Sequence, residues 1–204
     1  MKQLRMTAFA ATPLALVLAL AGCTTSGSSD SGMPGMDHGG GASSSPSATV
    51  QGEFNAADST FTMMMIPHHQ QAIEMSDMIL AKDGVDQRVR GLAQQIKDAQ
   101  GPEIEMMERW LDEWGMPSSA GMEGMDQGDG MMSDDDMTAL EAADGPEAGR
   151  LYLEQMVEHH QGAIEMAQDE LDDGANPGVL ALAQQIITSQ TAEIATMQEL
   201  LAQL

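Results

Sequence analysis

The chain has 204 residues, of which 32 are Asp or Glu and 8 are Lys or Arg, giving a formal charge of −24. Such a surface repels nucleic acid and anionic lipid head groups and gathers cations, which argues against a nucleic-acid partner. A single cysteine excludes an intrachain disulfide and a multi-thiolate metal centre, while methionine is abundant at 20 residues.

Residues 1–22 read as an export signal, with Lys2 and Arg5 as the positive region, Leu14 to Leu20 as the apolar core and Leu20-Ala21-Gly22-Cys23 as the processing site. The stretch is too short, and too interrupted by Thr7, Thr12 and Pro13, for a membrane span of about 20 residues. Small residues ending in a cysteine resemble the lipobox of bacterial lipoproteins. That resemblance implies acylation of Cys23 and a lipid anchor on the extracytoplasmic face; a periplasmic or secreted location is the alternative. Residues 23–54 are rich in Gly, Ser, Thr, Ala and Pro and read as a disordered tether. Within it Met33, Met36 and His38 form a patch that either picks up copper or is spacer.

Residues 55–204 read as one all-α domain of four helices, since no stretch alternates like a strand. The first helix is expected from near Asp58 to Lys82, capped by Asp58 or Ser59, with Pro67 inside it. The second is expected from Asp86 to about Trp114, where Gly115 and Pro117 stop it. Gly101-Pro102 should kink or break it, which puts Met106 and Met107 in doubt as ligands. Asp144-Gly145-Pro146 opens the third helix, expected to reach Leu171, and Asn176-Pro177 opens the fourth. Short turns near Asp83-Gly84 and Asp172 to Gly174 make each pair an antiparallel hairpin. The segment 115–144 is long enough to cross a bundle whose 25-residue helices measure about 37 Å. Its Met116, Met122, Met125, Met131, Met132 and Met137 stand among Gly, Ser and Asp. Copper capture and docking of the loop onto the bundle both explain them.

The helix pairs repeat. Met65-Ile-Pro-His68-His69-Gln70 through Ala72-Ile73-Glu74-Met75 returns 91 residues later as Met156-Val-Glu-His159-His160-Gln161 through Ala163-Ile164-Glu165-Met166. A second echo runs from Gln94-Gln95-Ile96 through Gln100, Glu103, Ile104 and Met107 to Gln184-Gln185-Ile186 through Gln190, Glu193, Ile194 and Met197. At about 100° per residue, Met65 and Met75 fall on the same side as His68, while His69 points about 100° away. The expected ligand shell is therefore Met65, His68 and Met75, with His69 at its edge or bonded elsewhere, and the same in the second copy. Thioether sulfur favours Cu(I), and imidazole accepts Cu(I), Cu(II) or Zn(II), so copper fits this set best. Methionine also fills irregular cores; its duplication beside the histidines favours ligation. Glu74 and Glu165 lie nearly opposite Met65 and Met156 and read as solvated.

Asp58-x-x-Phe61, Met65-Ile-Pro-His68-His69-Gln70-x-Ala72-Ile73-Glu74-Met75 and Gln100-x-x-Glu103-Ile104 resemble the ferritin-like family catalogued as domain of unknown function 305. Both halves match, over nearly all of residues 55–204. The resemblance implies a ferritin-like four-helix bundle of two repeated antiparallel hairpins with one long crossover, and copper handling outside the cytoplasm. It maps the ligands onto Met65, His68, His69, Met75, Met156, His159, His160 and Met166, with Met107 and Met197 as further candidates. A di-iron or di-manganese oxidase would need Glu-x-x-His, and Met65 and Met156 stand where the carboxylates belong. The expectation is therefore a copper-binding protein without catalytic turnover, sequestering Cu(I) or delivering it to other envelope copper proteins. A haem-binding bundle and a structural lipoprotein without metal are the alternatives.

Overall fold

The structure, a computed structural model, describes residues 52–117 and 130–204, and all regular structure among them is helical. Cys23, Met33, Met36, His38, Met122 and Met125 lie outside the described residues. The helices are α1 Ala56–Ala81, α2 Gln87–Trp114, α3 Asp134–Ala142, α4 Gly145–Asp173 and α5 Pro177–Leu201. α1 packs on α2, α4 packs on α5, and the two hairpins meet along α1 and α4.

The helix ends follow from local chemistry, with one correction. Asn55, not Asp58 or Ser59, caps α1: its side chain accepts the N–H groups of Ala57 and Asp58 at 2.8 and 3.0 Å. Asp58 reciprocates from the third helical position by accepting the N–H of Asn55 at 2.7 Å, which completes a capping box. Just before the cap, Phe54 stacks on Trp114 with ring centroids 4.4 Å apart, and Asn176 donates to the carbonyl of Gly52 at 3.2 Å. The end of the expected tether thus already touches the bundle. Asp86 and Asn176 cap α2 and α5 through their side chains.

Two expectations about breaks are overturned. α2 continues through Pro102 to Trp114. Pro102 is on the exposed face, where a carbonyl that loses its N–H partner to the ring can be hydrated. The crossover is also not all loop, because α3 forms within it. Ser133 caps α3 in a second capping box with Asp136, and three aspartates occupy its first turn, at the positive end of the helix dipole. Leu140 anchors α3 in the core at 0% exposure, and Gln155 of α4 donates to the carbonyl of Asp136 at 3.0 Å.

The core falls into two apolar clusters. One joins Phe61, Met65 and Ile66 of α1 to the C-terminal half of α2, the N-terminal half of α5, and Ala163 and Ala167 of α4. The other joins Ala72, Met75 and Ile79 of α1 to the N-terminal halves of α2 and α4 and to Met197 and Leu200 of α5. α1 and α4 therefore run antiparallel, and the repeat exchanges one cluster for the other. A buried Tyr152 needs a partner for its hydroxyl and finds Ser76 at 2.9 Å; the repeat-equivalent pair, Phe61 and Ala167, has no hydroxyl to satisfy.

At one end of the bundle Asp58 also accepts the N–H groups of Ala175 and Asn176, at 3.1 and 2.8 Å, fastening the α4–α5 turn to the start of α1. Burial by itself would raise the Asp58 carboxyl, but these N–H donors and that of Asn55 hold it below its ordinary value. Glu170 lies beside it, almost wholly buried, and the Cβ that Gly174 lacks would collide with its carboxyl. Burial, and then Asp58, push Glu170 up from 4.5 to about 8. The native state holds a proton that the unfolded chain releases, so this contribution is complete below about pH 4.5 and lost as pH rises through about 8. Urea denaturation of Glu170→Gln should show a smaller loss of stability than the parent between pH 5 and about 8.5. Equal slopes would refute a protonated Glu170.

Candidate metal centre

The two apolar clusters are separated by a layer of polar side chains at mid-bundle. There His68 of α1 and His159 of α4 face each other with ring centroids 3.7 Å apart and planes inclined by 39°. The adjacent histidines turn away from this pair, as the 100° step of the helix requires, and each meets a carboxylate of its own hairpin partner. His69 Nε2 lies 2.8 Å from a Glu103 carboxylate oxygen on α2, and His160 Nε2 lies 2.8 Å from Glu193 on α5. Glu103 also accepts a hydrogen bond from Gln185 of α5 at 3.0 Å, tying the two hairpins together at the same level. None of the four imidazoles is more than 1% exposed.

These contacts set the chemistry of the rings. A neutral imidazole that gives its Nε2 proton to a carboxylate keeps a lone pair on Nδ1. Nδ1 of His69 and Nδ1 of His160 are both buried, with no hydrogen-bond partner among the described residues. Burial first, and then the neighbouring histidines, hold His159 well below 6.5; burial lowers His160 as well, against the opposing pull of Glu193. His159 and His160 are thus neutral at pH 7, the state a metal requires. Gln100 and Gln190 occupy repeat-equivalent positions in the same layer, buried at 3% and 2%. Among the described residues no three His, Cys, Asp or Glu side chains converge on a metal position.

The methionines divide by position. Met65 and Met156, one turn before the facing histidines, are fully buried in opposite clusters. Met107 and Met197, one turn beyond Glu103 and Glu193, are also fully buried, Met107 beside Met65 in one cluster and Met197 beside Met156 in the other. The unbroken α2 carries Met107 to this level, against the doubt raised by Pro102. Met65 and Met75, expected with His68 in one shell, fall in different apolar clusters. Met75 lies two turns beyond His68, about 10 Å along the axis, in the opposite cluster from Met65. Met166 is half-buried over the cluster that holds Met65 and lines an open surface cavity of about 260 Å³ with Met64 and Asp169. Glu74 and Glu165 are exposed, as their helix angle required. The carboxylate partners Glu103 and Glu193 were visible in the sequence as part of the second echo. Only the packing of each hairpin reveals that they receive His69 and His160.

In the crossover, Met132 and Met137 dock on the bundle and Met116 packs beside the α2 end. No helix among the described residues is long and apolar enough to cross a membrane.

A family model described as domain of unknown function, DUF305, matches residues 58–201. A DUF305 protein from Streptomyces coelicolor is similar at 36% identity and a TM-score of 0.66, over 72% of this chain and 93% of that one. A DUF305 fragment from Deinococcus radiodurans is 32% identical with a TM-score of 0.68, over 75% of this chain and 100% of that one. CopM in its Cu(II)-bound form is 33% identical with a TM-score of 0.62, over 72% of this chain and 96% of that one. CopM is also known in Cu(I)-bound and silver-bound forms. No curated protein matches the chain.

A lowered histidine pKa has a defined sign for stability. The unfolded chain takes up protons that native His159 and His160 refuse, so their contribution is complete above pH 6.5 and lost as pH falls through their depressed values. In the metal-free protein, His159→Leu should flatten the fall in stability between pH 7 and 5, read by urea denaturation at both. An unchanged slope would mean that His159 titrates as an open side chain.

Proposed function

This chain belongs to the DUF305 family, and on that footing we propose that it binds copper, taking Cu(I) into the histidine layer of the bundle. The observation that carries the reading is the pair of buried imidazoles, His69 and His160, each held by a carboxylate through Nε2 with Nδ1 unpartnered. A carboxylate behind the ring is the arrangement that orients metal-ligating histidines and raises their basicity. Fully buried thioethers lie within one turn on both sides, Met65 and Met107 toward one cluster and Met156 and Met197 toward the other. Soft sulfur beside neutral imidazole suits Cu(I), and silver, which CopM also holds, shares that preference.

The protein acts by sequestration or delivery, without turnover. Met65 and Met156 occupy the positions where an oxidase would carry hard carboxylates, and a thioether does not stabilise a high-valent iron. Haem is the weaker alternative, since rings in contact at 3.7 Å leave no slot for a macrocycle between His68 and His159. The export signal and Cys23 support an extracytoplasmic, lipid-anchored location.

Competition titration of the mature domain with Cu(I) tests the site. Glu103→Gln with Glu193→Gln should weaken Cu(I) binding by about 10–100-fold, the usual cost of losing an orienting partner. Met65→Leu with Met156→Leu keeps the volume and should lower affinity with a stability cost under about 1.5 kcal/mol. Lowering pH should weaken binding once it falls through the depressed values of His159 and His160, because a protonated imidazole has no lone pair for the metal. Parent-like Cu(I) affinity in both the methionine double variant and His68→Ala with His159→Ala would overturn the proposal.

The anchor has its own test. Cys23→Ser should move the protein from the membrane fraction to the soluble envelope fraction or the medium, because the acidic domain has no membrane affinity of its own. Retention of that variant in the membrane would point to an uncleaved N-terminal anchor.

A further inference from the structure

The repeat is broken at Gln71, beside the histidine layer, and the break is used. Gln71, one turn beyond His68, has Gly162, one turn beyond His159, as its equivalent. Both hold the same short piece of the crossover. The Gln71 side chain accepts the N–H of Met132 at 2.8 Å and donates to the Met132 carbonyl at 2.9 Å, satisfying both backbone groups of that residue. Two residues earlier, Gly130 rests on α4. With φ at +89°, a Cβ there would come within 2.8 Å of Gly162 Cα and 2.9 Å of the Glu158 carbonyl. Only glycine fits so close to a helix backbone, and only in that conformation without strain.

The helices run antiparallel with His68 opposite His159, so Gln71 and Gly162 lie on either side of the crossing. A segment fixed to both must pass over the facing imidazoles. α2 and α5 close the other side through Glu103 and Glu193. Met132 is 9% exposed and points into the apolar cluster, Met131 is half-buried, and Ser133 then turns the chain into α3.

We propose that residues 130–132 are a strap over the histidine layer, that Gln71 and Gly130 are its positioning residues, and that its release admits metal. This rests on the reading of the layer as the copper site. Among the described residues the strap is held by the Gln71 clasp, the close contact of Gly130 with α4 and the burial of the Met132 side chain. Losing the clasp removes two hydrogen bonds, enough to raise the open fraction by about tenfold or more. If the closed state is weakened equally with and without metal, entry and release accelerate together and the equilibrium affinity is unchanged. A residue that merely supported the fold would not produce that pattern.

The test uses the full chain, metal-free, with diethyl pyrocarbonate as a probe of neutral imidazole and mass spectrometry to assign the modified histidines. Gln71→Leu and Gly130→Ala should each speed modification of His68 and His159 by about tenfold. Val179→Ala, which trims a fully buried side chain in the cluster away from the strap, serves as the stability-matched control and should not. Rates that stay at the parent value, or rise as much in Val179→Ala, overturn the strap. Should Gly130→Ala fail to fold, Gln71→Leu decides alone. A second arm follows Cu(I) transfer to and from a chromophoric chelator. Both rates should rise about tenfold in Gln71→Leu while the dissociation constant stays within about threefold of the parent. A parent that binds no Cu(I) sinks the proposed function, while the histidine labelling still decides the strap.

Discussion

The bundle depends on one arrangement: two antiparallel helices cross with a histidine facing a histidine, and each next histidine is handed to a carboxylate on its own hairpin partner. Burying four imidazoles and the Glu103 carboxylate between apolar clusters is costly, and each polar atom left unpaired there costs about 1–3 kcal/mol. Apolar side chains of similar volume would hold the same helices together at lower cost. The two carboxylates fix which ring nitrogen carries the proton, and burial keeps His159 and His160 neutral. On the proposed reading, this preorganises the layer for a cation that prefers uncharged soft ligands.

The layer also organises everything around it. Because the repeat exchanges the two apolar clusters, Met65 and Met107 fall in one and their equivalents Met156 and Met197 in the other, where Met75 joins them. Departures from the repeat then mark what each half does alone. Ser76 answers the hydroxyl of Tyr152, while Ala167 needs to answer nothing from Phe61. Asp58, whose equivalent is Gly149, pins the α4–α5 turn. Gln71 and Gly162 accept a crossover that passes once and so has no symmetric counterpart.

The acidic surface fits the same picture at longer range. A charge of −24 draws cations toward the protein without selecting among them. On the proposed reading, selection would belong to the interior, where thioether and imidazole suit a soft ion better than hard, strongly hydrated ones.

Much of this was legible from the residues alone. Helical periodicity, proline and asparagine at helix starts, and the duplicated motif identified an all-α bundle of two hairpins and singled out the four histidines, because these are local signals with a fixed period. The 100° step between adjacent histidines even required that His69 and His160 leave the shared pair. Other features belong to tertiary structure. Glu103 and Glu193 receive the outer histidines only because each hairpin closes in a particular register. Met75 leaves the shell with Met65 because seven residues return to the same angle but also climb about 10 Å, and helix angle alone does not register height. α2 survives Pro102 because that proline meets water, and α3 forms in the crossover because α1 and α4 offer it a groove for Leu140. Sequence determined which side chains share a helix face; only the packing of one helix on another decided which of them meet, since that depends on register and height between segments far apart in the chain.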